Sequence, residues 1–178
     1  MVQTAPQDSI GTEFLRVSRR AMMQRFSRIE ECVLQLTTEQ IWSRGSEVEN
    51  SVSNLALHLA GNVRQWILAR VEGASDTRNR DEEFAQRTPI ASEELLALLR
   101  DVMGEENSVL SDLTDDDLFK TCRRQDYAVT VLHAITHVVT HFAKHAGQII
   151  YLTMHMTRDD LGLYCHLTWK DTSVSKGT

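Results

Sequence analysis

A chain of 178 residues, 42% of them hydrophobic and only 6% aromatic, is long enough to bury one core, and just two prolines and eight glycines interrupt it. Its formal net charge of −6, with no dense Lys/Arg run, argues against a nucleic-acid footprint. No apolar run reaches the roughly 18 residues of a bilayer span and no leader pattern opens the chain, so a soluble, cytoplasmic protein that does not enter a membrane is expected.

Four amphipathic segments follow in chain order, at about residues 11–36, 51–71, 92–113 and 130–155. In the first, Leu15, Met22, Phe26, Ile29, Val33 and Leu36 recur at steps of three, four and seven, which is helical and not strand spacing. Its arginines (Arg16, Arg19, Arg20, Arg25, Arg28) are interleaved with these and read as a solvated face. A short connection containing Thr37-Thr38-Glu39-Gln40 has the makings of one helical turn. The second helix is capped by Asn50 or Ser51 and ends at Gly73, where a left-handed residue is cheapest. The third starts at Ser92 as a plausible N-cap and carries Leu95, Leu99, Val102, Val109 and Leu113 inward. The fourth is the most apolar.

The connections set the topology. Gly73 to Ala91 is long and polar, enough to run the length of the bundle, which allows helices two and three to be parallel and predicts an all-α four-helix bundle in up-down-down-up order. Thr114 to Val129 is also long and opens with Thr114-Asp115-Asp116-Asp117-Leu118-Phe119, which looks like a short capped helix. The tail after Arg158 is irregular, and its apolar residues suggest that it packs back on the one domain, 1–178. Cys32, Cys122 and Cys165 are odd in number and show no CxxC, as reduced thiols would.

The seven histidines carry the chemistry. Four stand on the fourth helix at steps of four: His133, His137, His141 and His145. Each step leaves about 40° of drift, so adjacent pairs share a face and the full set does not. The inward stripe reads Val131, Ala134, Val138, His141, His145, Gln148, Leu152, which selects His141 and His145. On the second helix Leu55, His58, Leu59, Asn62 and Trp66 put His58 on the apolar face. Any one of these histidines alone reads best as a hydrogen-bonded core residue. Three imidazoles in one core are expensive unless satisfied, and a divalent metal satisfies them; Zn, Ni, Fe, Co and Mn are candidates.

Asn54-Leu55-Ala56-Leu57-His58-Leu59-Ala60-Gly61-Asn62-Val63-Arg64-Gln65-Trp66-Ile67 resembles the second-helix signature of the DinB/YfiT-like superfamily of metal-binding four-helix bundles, and His137 to Leu152 resembles its HxxxHxGQI signature. Asn79-Arg80-Asp81-Glu82-Glu83-Phe84 is similar to a segment of one uncharacterised branch. The resemblance spans about residues 10–156. It implies an up-down-down-up bundle, a divalent metal held by His58, His141 and His145 (Zn or Ni foremost) and a homodimer. Relatives include transferases and isomerases that use a low-molecular-weight thiol as co-substrate, and hydrolase-like proteins.

Three protein nitrogens leave coordination positions open for a small-molecule substrate, which suits a catalytic site. Two readings follow: a metal-dependent thiol transferase or hydrolase, or a non-catalytic, stress-related bundle whose metal is structural. Around the ligands, Gln148 is a candidate to orient an imidazole or to pack against helix three. Glu106, at an inward register of helix three, is a candidate imidazole partner or base. His137 is an alternative ligand, a proton shuttle or a flanking residue. Gly147 is expected to allow close helix approach, and Trp42, Trp66 and Trp169 to pack.

Overall fold

The computed structural model describes residues 9–124 and 127–162. Helix α1 (Ile10–Leu34) is capped by Ser9, whose side chain accepts from the Thr12 amide. A single turn, α2 (Thr38–Trp42), follows under a complete capping box made by Thr37 and Gln40. Helix α3 (Val52–Val63) starts at Ser51 and runs on as a π-helix from Arg64 to Glu72, closed by Gly73 at φ 99°. Helices α4 (Arg80–Ala85), α5 (Ser92–Asp112) and α6 (Val131–Thr157) complete the set.

The long helices form a four-helix bundle. Arg19 donates to Asn107 and Arg100 to Glu30, so α1 and α5 run antiparallel. His58 meets His141 while Trp66 meets His137, so α3 and α6 are also antiparallel. The hydrogen-bonded pair Cys32 and Thr153 puts the late part of α1 beside the late part of α6, and these two are parallel. The order is therefore up-down-down-up. The 73–91 connection makes this possible, since it carries the chain back along the bundle as expected.

Sequence periodicity located the core well on three helices. Leu15, Met22, Phe26, Ile29, Val33 and Leu36 are all buried, as are Leu95, Leu99, Val102 and Val109. Of the α1 arginines, Arg16 and Arg20 are exposed, whereas Arg19, Arg25 and Arg28 are half-buried and Arg19 reaches across to Asn107 of α5. No helix among the described residues is long and apolar enough to cross a membrane. Cys32 and Cys122 are free and buried. Cys165, His166, Trp169 and most of the tail lie outside the described residues, but Leu161 packs against the core.

Four expectations need correction. The stripe of α6 is Val131, Ala134, Ile135, Val138, Phe142, Ala146, Ile149 and Thr153, with His141 and His145 half-buried at its edge and Gln148 exposed. A repeat averaging three and a half residues drifts by about 20° per heptad on a straight helix, which carries the assumed stripe off the core. Ser92 is the first residue of α5 and not its cap; Ala91 occupies that position without a side-chain bond. The segment before α6 holds a 3₁₀ turn (Asp116–Phe119) and then an antiparallel hairpin, β1 (Thr121–Arg124) with β2 (Tyr127–Thr130), where no strand was expected. Gly147 has open space around it, so no close helix approach among the described residues requires it.

Glu106 does face the core, at 1% exposure, yet neither carboxylate oxygen has a hydrogen-bond partner among the described residues. Burial pushes its pKa from the ordinary 4.5 up to about 7, against a smaller pull from Arg19. An acid with a raised folded-state pKa stabilises most below its unfolded value, so stability attributable to Glu106 is full below pH 4.5 and falls until about pH 7. Glu106→Gln should therefore raise unfolding free energy by about 3 kcal/mol near pH 8, with the gain vanishing near pH 4. Urea titrations at both pH values measure this; a gain independent of pH refutes it.

Candidate metal centre

The centre is assembled at the contact of α3 with α6. His58 is 4% exposed, and His141 and His145 are half-buried. One ring nitrogen from each lies within 4.8 Å of the other two. The His58 and His141 Nε2 atoms are 3.2 Å apart. Two nitrogens each about 2.0–2.1 Å from one ion are separated by about 3.2 Å when they subtend roughly 100°, so this spacing matches a chelating pair.

Ring orientation is set by partners on the far side of each imidazole. His145 Nδ1 lies 2.6 Å from Gln148 Oε1. The amide oxygen only accepts, so Nδ1 carries the proton and Nε2 keeps a lone pair for the centre. Gln148 thus bonds to His145 from an exposed position and not from the core stripe. His58 Nδ1 lies 2.8 Å from Glu83 Oε2, and an ionised carboxylate likewise requires Nδ1–H. The Arg78 Nη2 contact to the same Nδ1, at 3.0 Å, is then a close neighbour and not a hydrogen bond. His141 Nδ1 is buried without a hydrogen-bond partner among the described residues.

Glu83 is the residue that the sequence reading missed. It sits on α4, inside the long polar connection, at 11% side-chain exposure. Arg78 grips it with Nε at 2.7 Å from Oε1 and Nη2 at 2.8 Å from Oε2. Burial raises the Glu83 carboxyl, but the hydrogen bonds from Arg78 and His58 outweigh this and the net shift is downward, so it is an anion at neutral pH. Three further residues hold the clamp. Asn54, fully buried, donates 2.8 Å to the Glu83 carbonyl and ties α4 to α3. Gln65 accepts from Arg78 at 3.1 Å and donates to Asp76 at 2.9 Å, pinning the connection. A Cβ at Gly61 would sit 1.9 Å from Glu83 Oε1, so only glycine leaves room for this carboxylate. The sequence signals were the likeness of Asn79–Phe84 to a family segment, which assigned Glu83 no role, and a cluster of charges in a connection, which ordinarily means solvent exposure.

Electrostatics keep the imidazoles of α6 available as ligands. Burial lowers the His141 pKa to about 3, reinforced by His145, His58, His137 and Arg78. Burial also lowers His145, against the opposing bond to Gln148. Both are neutral at pH 7, the form that binds a metal. His137 stacks on Trp66 at 4.1 Å between ring centroids and lies 5.6 Å from the His141 ring, a wall residue outside the three-nitrogen cluster. Glu106 makes no hydrogen bond to any histidine, which removes it from the site. Its register is inward, as read, but its charged neighbour is Arg19 of α1. Beside the cluster opens a cleft of about 280 Å³ bordered by His58, Asn62, Trp66, Arg80, His137 and His141.

Fold and site together define an all-α bundle with a three-histidine cluster able to hold a metal ion. The chain belongs to the family described as "Protein of unknown function (DUF1572)", whose model matches residues 9–177. No curated protein matches it. Among solved structures it is similar to one described as "Crystal structure of the conserved protein of locus from Enterococcus faecalis", at a TM-score of 0.68 and 17% identity, covering 81% of this chain and 97% of that one. At that identity the likeness shows the shared fold alone.

The clamp makes a prediction that needs no metal. Glu83→Gln leaves the buried Arg78 guanidinium without its anion and should cost about 3 kcal/mol of stability. Gly61→Ala should cost a similar amount by displacing the same carboxylate, and the double variant should be far from additive. A double-mutant cycle by chemical denaturation measures this, and additive costs would show that Gly61 does not act through Glu83.

Proposed function

We propose that His58, His141 and His145 hold one divalent metal ion, Zn or Ni foremost with Fe, Co or Mn as alternatives, and that the protein is a metal-dependent enzyme acting on a small molecule. The observation that carries this is the pair of fixed tautomers. Glu83 and Gln148 each take an Nδ1–H and turn an Nε2 lone pair toward a common point. The motif spacing and bundle order also support membership of the DinB/YfiT-like superfamily, and with it a homodimer. When bound, the ion would supply Lewis acidity and make a water or a thiol nucleophilic near neutral pH.

The chain's own residues do the rest. Three nitrogens leave open positions on the ion, and the cleft reaches His58 and His141 directly. This access favours a catalytic over a purely structural centre. Neutral His141 and His145 bind without first releasing a proton to solvent. Glu83 keeps the His58 ring in one orientation. Thiol transfer and hydrolysis both fit such a centre, with a low-molecular-weight thiol as co-substrate in the first case.

Chelator-stripped protein titrated with Zn or Ni should bind one ion per chain, and His145→Ala should abolish binding. Glu83→Gln should weaken it by about ten- to a hundredfold. Absence of binding to the wild-type chain sinks the metal reading. If His145→Ala abolishes turnover in a screen of thiol and ester substrates while the melting temperature holds, the centre is catalytic. A collapse in melting temperature instead assigns the ion a structural role.

A further inference from the structure

The cleft beside the histidines has a composition at odds with the rest of the molecule. The chain carries a net charge of −6. The cleft lining includes Arg78 and Arg80 and no carboxylate. Arg78 is committed to Glu83 and Gln65. Arg80 has no carboxylate partner among the described residues; its guanidinium carbon lies 5.1 Å from the Phe84 ring centroid. That ring lies 4.5 Å from the His58 ring, so one guanidinium stands a single aromatic ring away from the cluster.

Asn62 supplies an independent observation. It is 4% exposed, lines the same cleft, and its amide has no hydrogen-bond partner among the described residues. The amide is not among the polar atoms sealed from solvent, so a ligand in the cleft can bond to it by displacing water. Gln65, by contrast, has both ends of its amide in use. Trp66 offers little stacking surface, since Arg70 lies 3.5 Å over its ring and His137 packs against it at 4.1 Å.

We infer that this cleft selects a small anionic molecule, whose anionic group is bound by the Arg80 guanidinium and hydrogen-bonded by Asn62. The inference rests on reading the cleft as the substrate side of the metal centre. A guanidinium fork matches the paired oxygens of a carboxylate, and apart from the histidine nitrogens of the metal centre, the wall carries no carboxylate to hold a cation. A cavity of about 280 Å³ lies at the small end for ligand sites, so the molecule is metabolite-sized and not a polymer.

The test uses benzoate and its neutral isostere benzamide, with binding read by ligand-observed NMR on metal-free and on zinc-loaded protein. Benzoate should bind about tenfold more tightly than benzamide even without metal. Arg80→Gln, a substitution at an exposed side chain, should erase most of that preference, and Asn62→Leu should weaken both ligands. Equal binding of the two, no measurable benzoate binding, or a preference that survives Arg80→Gln overturns the inference. A protein that takes up no zinc yet keeps an Arg80-dependent preference disproves the metal centre and leaves the anion cleft standing. Zinc uptake without the preference does the reverse.

Discussion

The contact between Glu83 and His58, with Arg78 closing over the carboxylate, is the constraint around which this part of the molecule is arranged. A carboxylate this deep is tolerated only if its lone pairs are filled, because burial alone favours the neutral acid. Arg78 fills two of the available positions and His58 a third, and the shift in the Glu83 pKa is downward despite burial. The surrounding choices follow from that requirement. Gly61 keeps its Cβ out of the way, Asn54 fixes the backbone of α4, and Gln65 fixes the connection that delivers Arg78. The π-helical stretch after Val63 belongs to the same arrangement, since it places Gln65 and Trp66 on the walls beside the histidines.

The three imidazoles are held unequally. His58 answers to an anion and His145 to an amide, while His141 has a buried nitrogen with no partner among the described residues. A charged partner makes His58 the most rigidly oriented of the three. The exposed amide on His145 is a weaker and more adjustable restraint. Such a centre has one fixed side and one adaptable side, and the cleft opens between α3 and α6 beside His58 and His141.

Glu106 shows why an inward polar residue is not by itself a functional one. Its register reads correctly from the sequence, and its burial is nearly complete. The histidines, however, are at the contact of α3 with α6, while Glu106 is influenced by Arg19 of α1. Periodicity says that a residue faces the core; it does not say which of the facing helices it meets.

The sequence by itself determined the four long helices, the direction of each, and the three histidines that come together, because helical spacing and connection length are local properties of the chain. For Gln148, one turn beyond His145, it left orienting an imidazole and packing against helix three as alternatives. The tertiary structure alone decided that Glu83 is a buried anion and not a solvated one. A run of charges in a long connection carries no periodicity, and only the packing of α4 onto α3 shows which carboxylate turns inward. The exact core stripe of α6 was likewise beyond the sequence, since a drift of a few degrees per turn decides between Gln148 and Ile149 at the interior. The emptiness around Gly147, the hairpin before α6 and the carboxylate-free cleft depend on distant segments meeting in space, and no local pattern encodes those meetings.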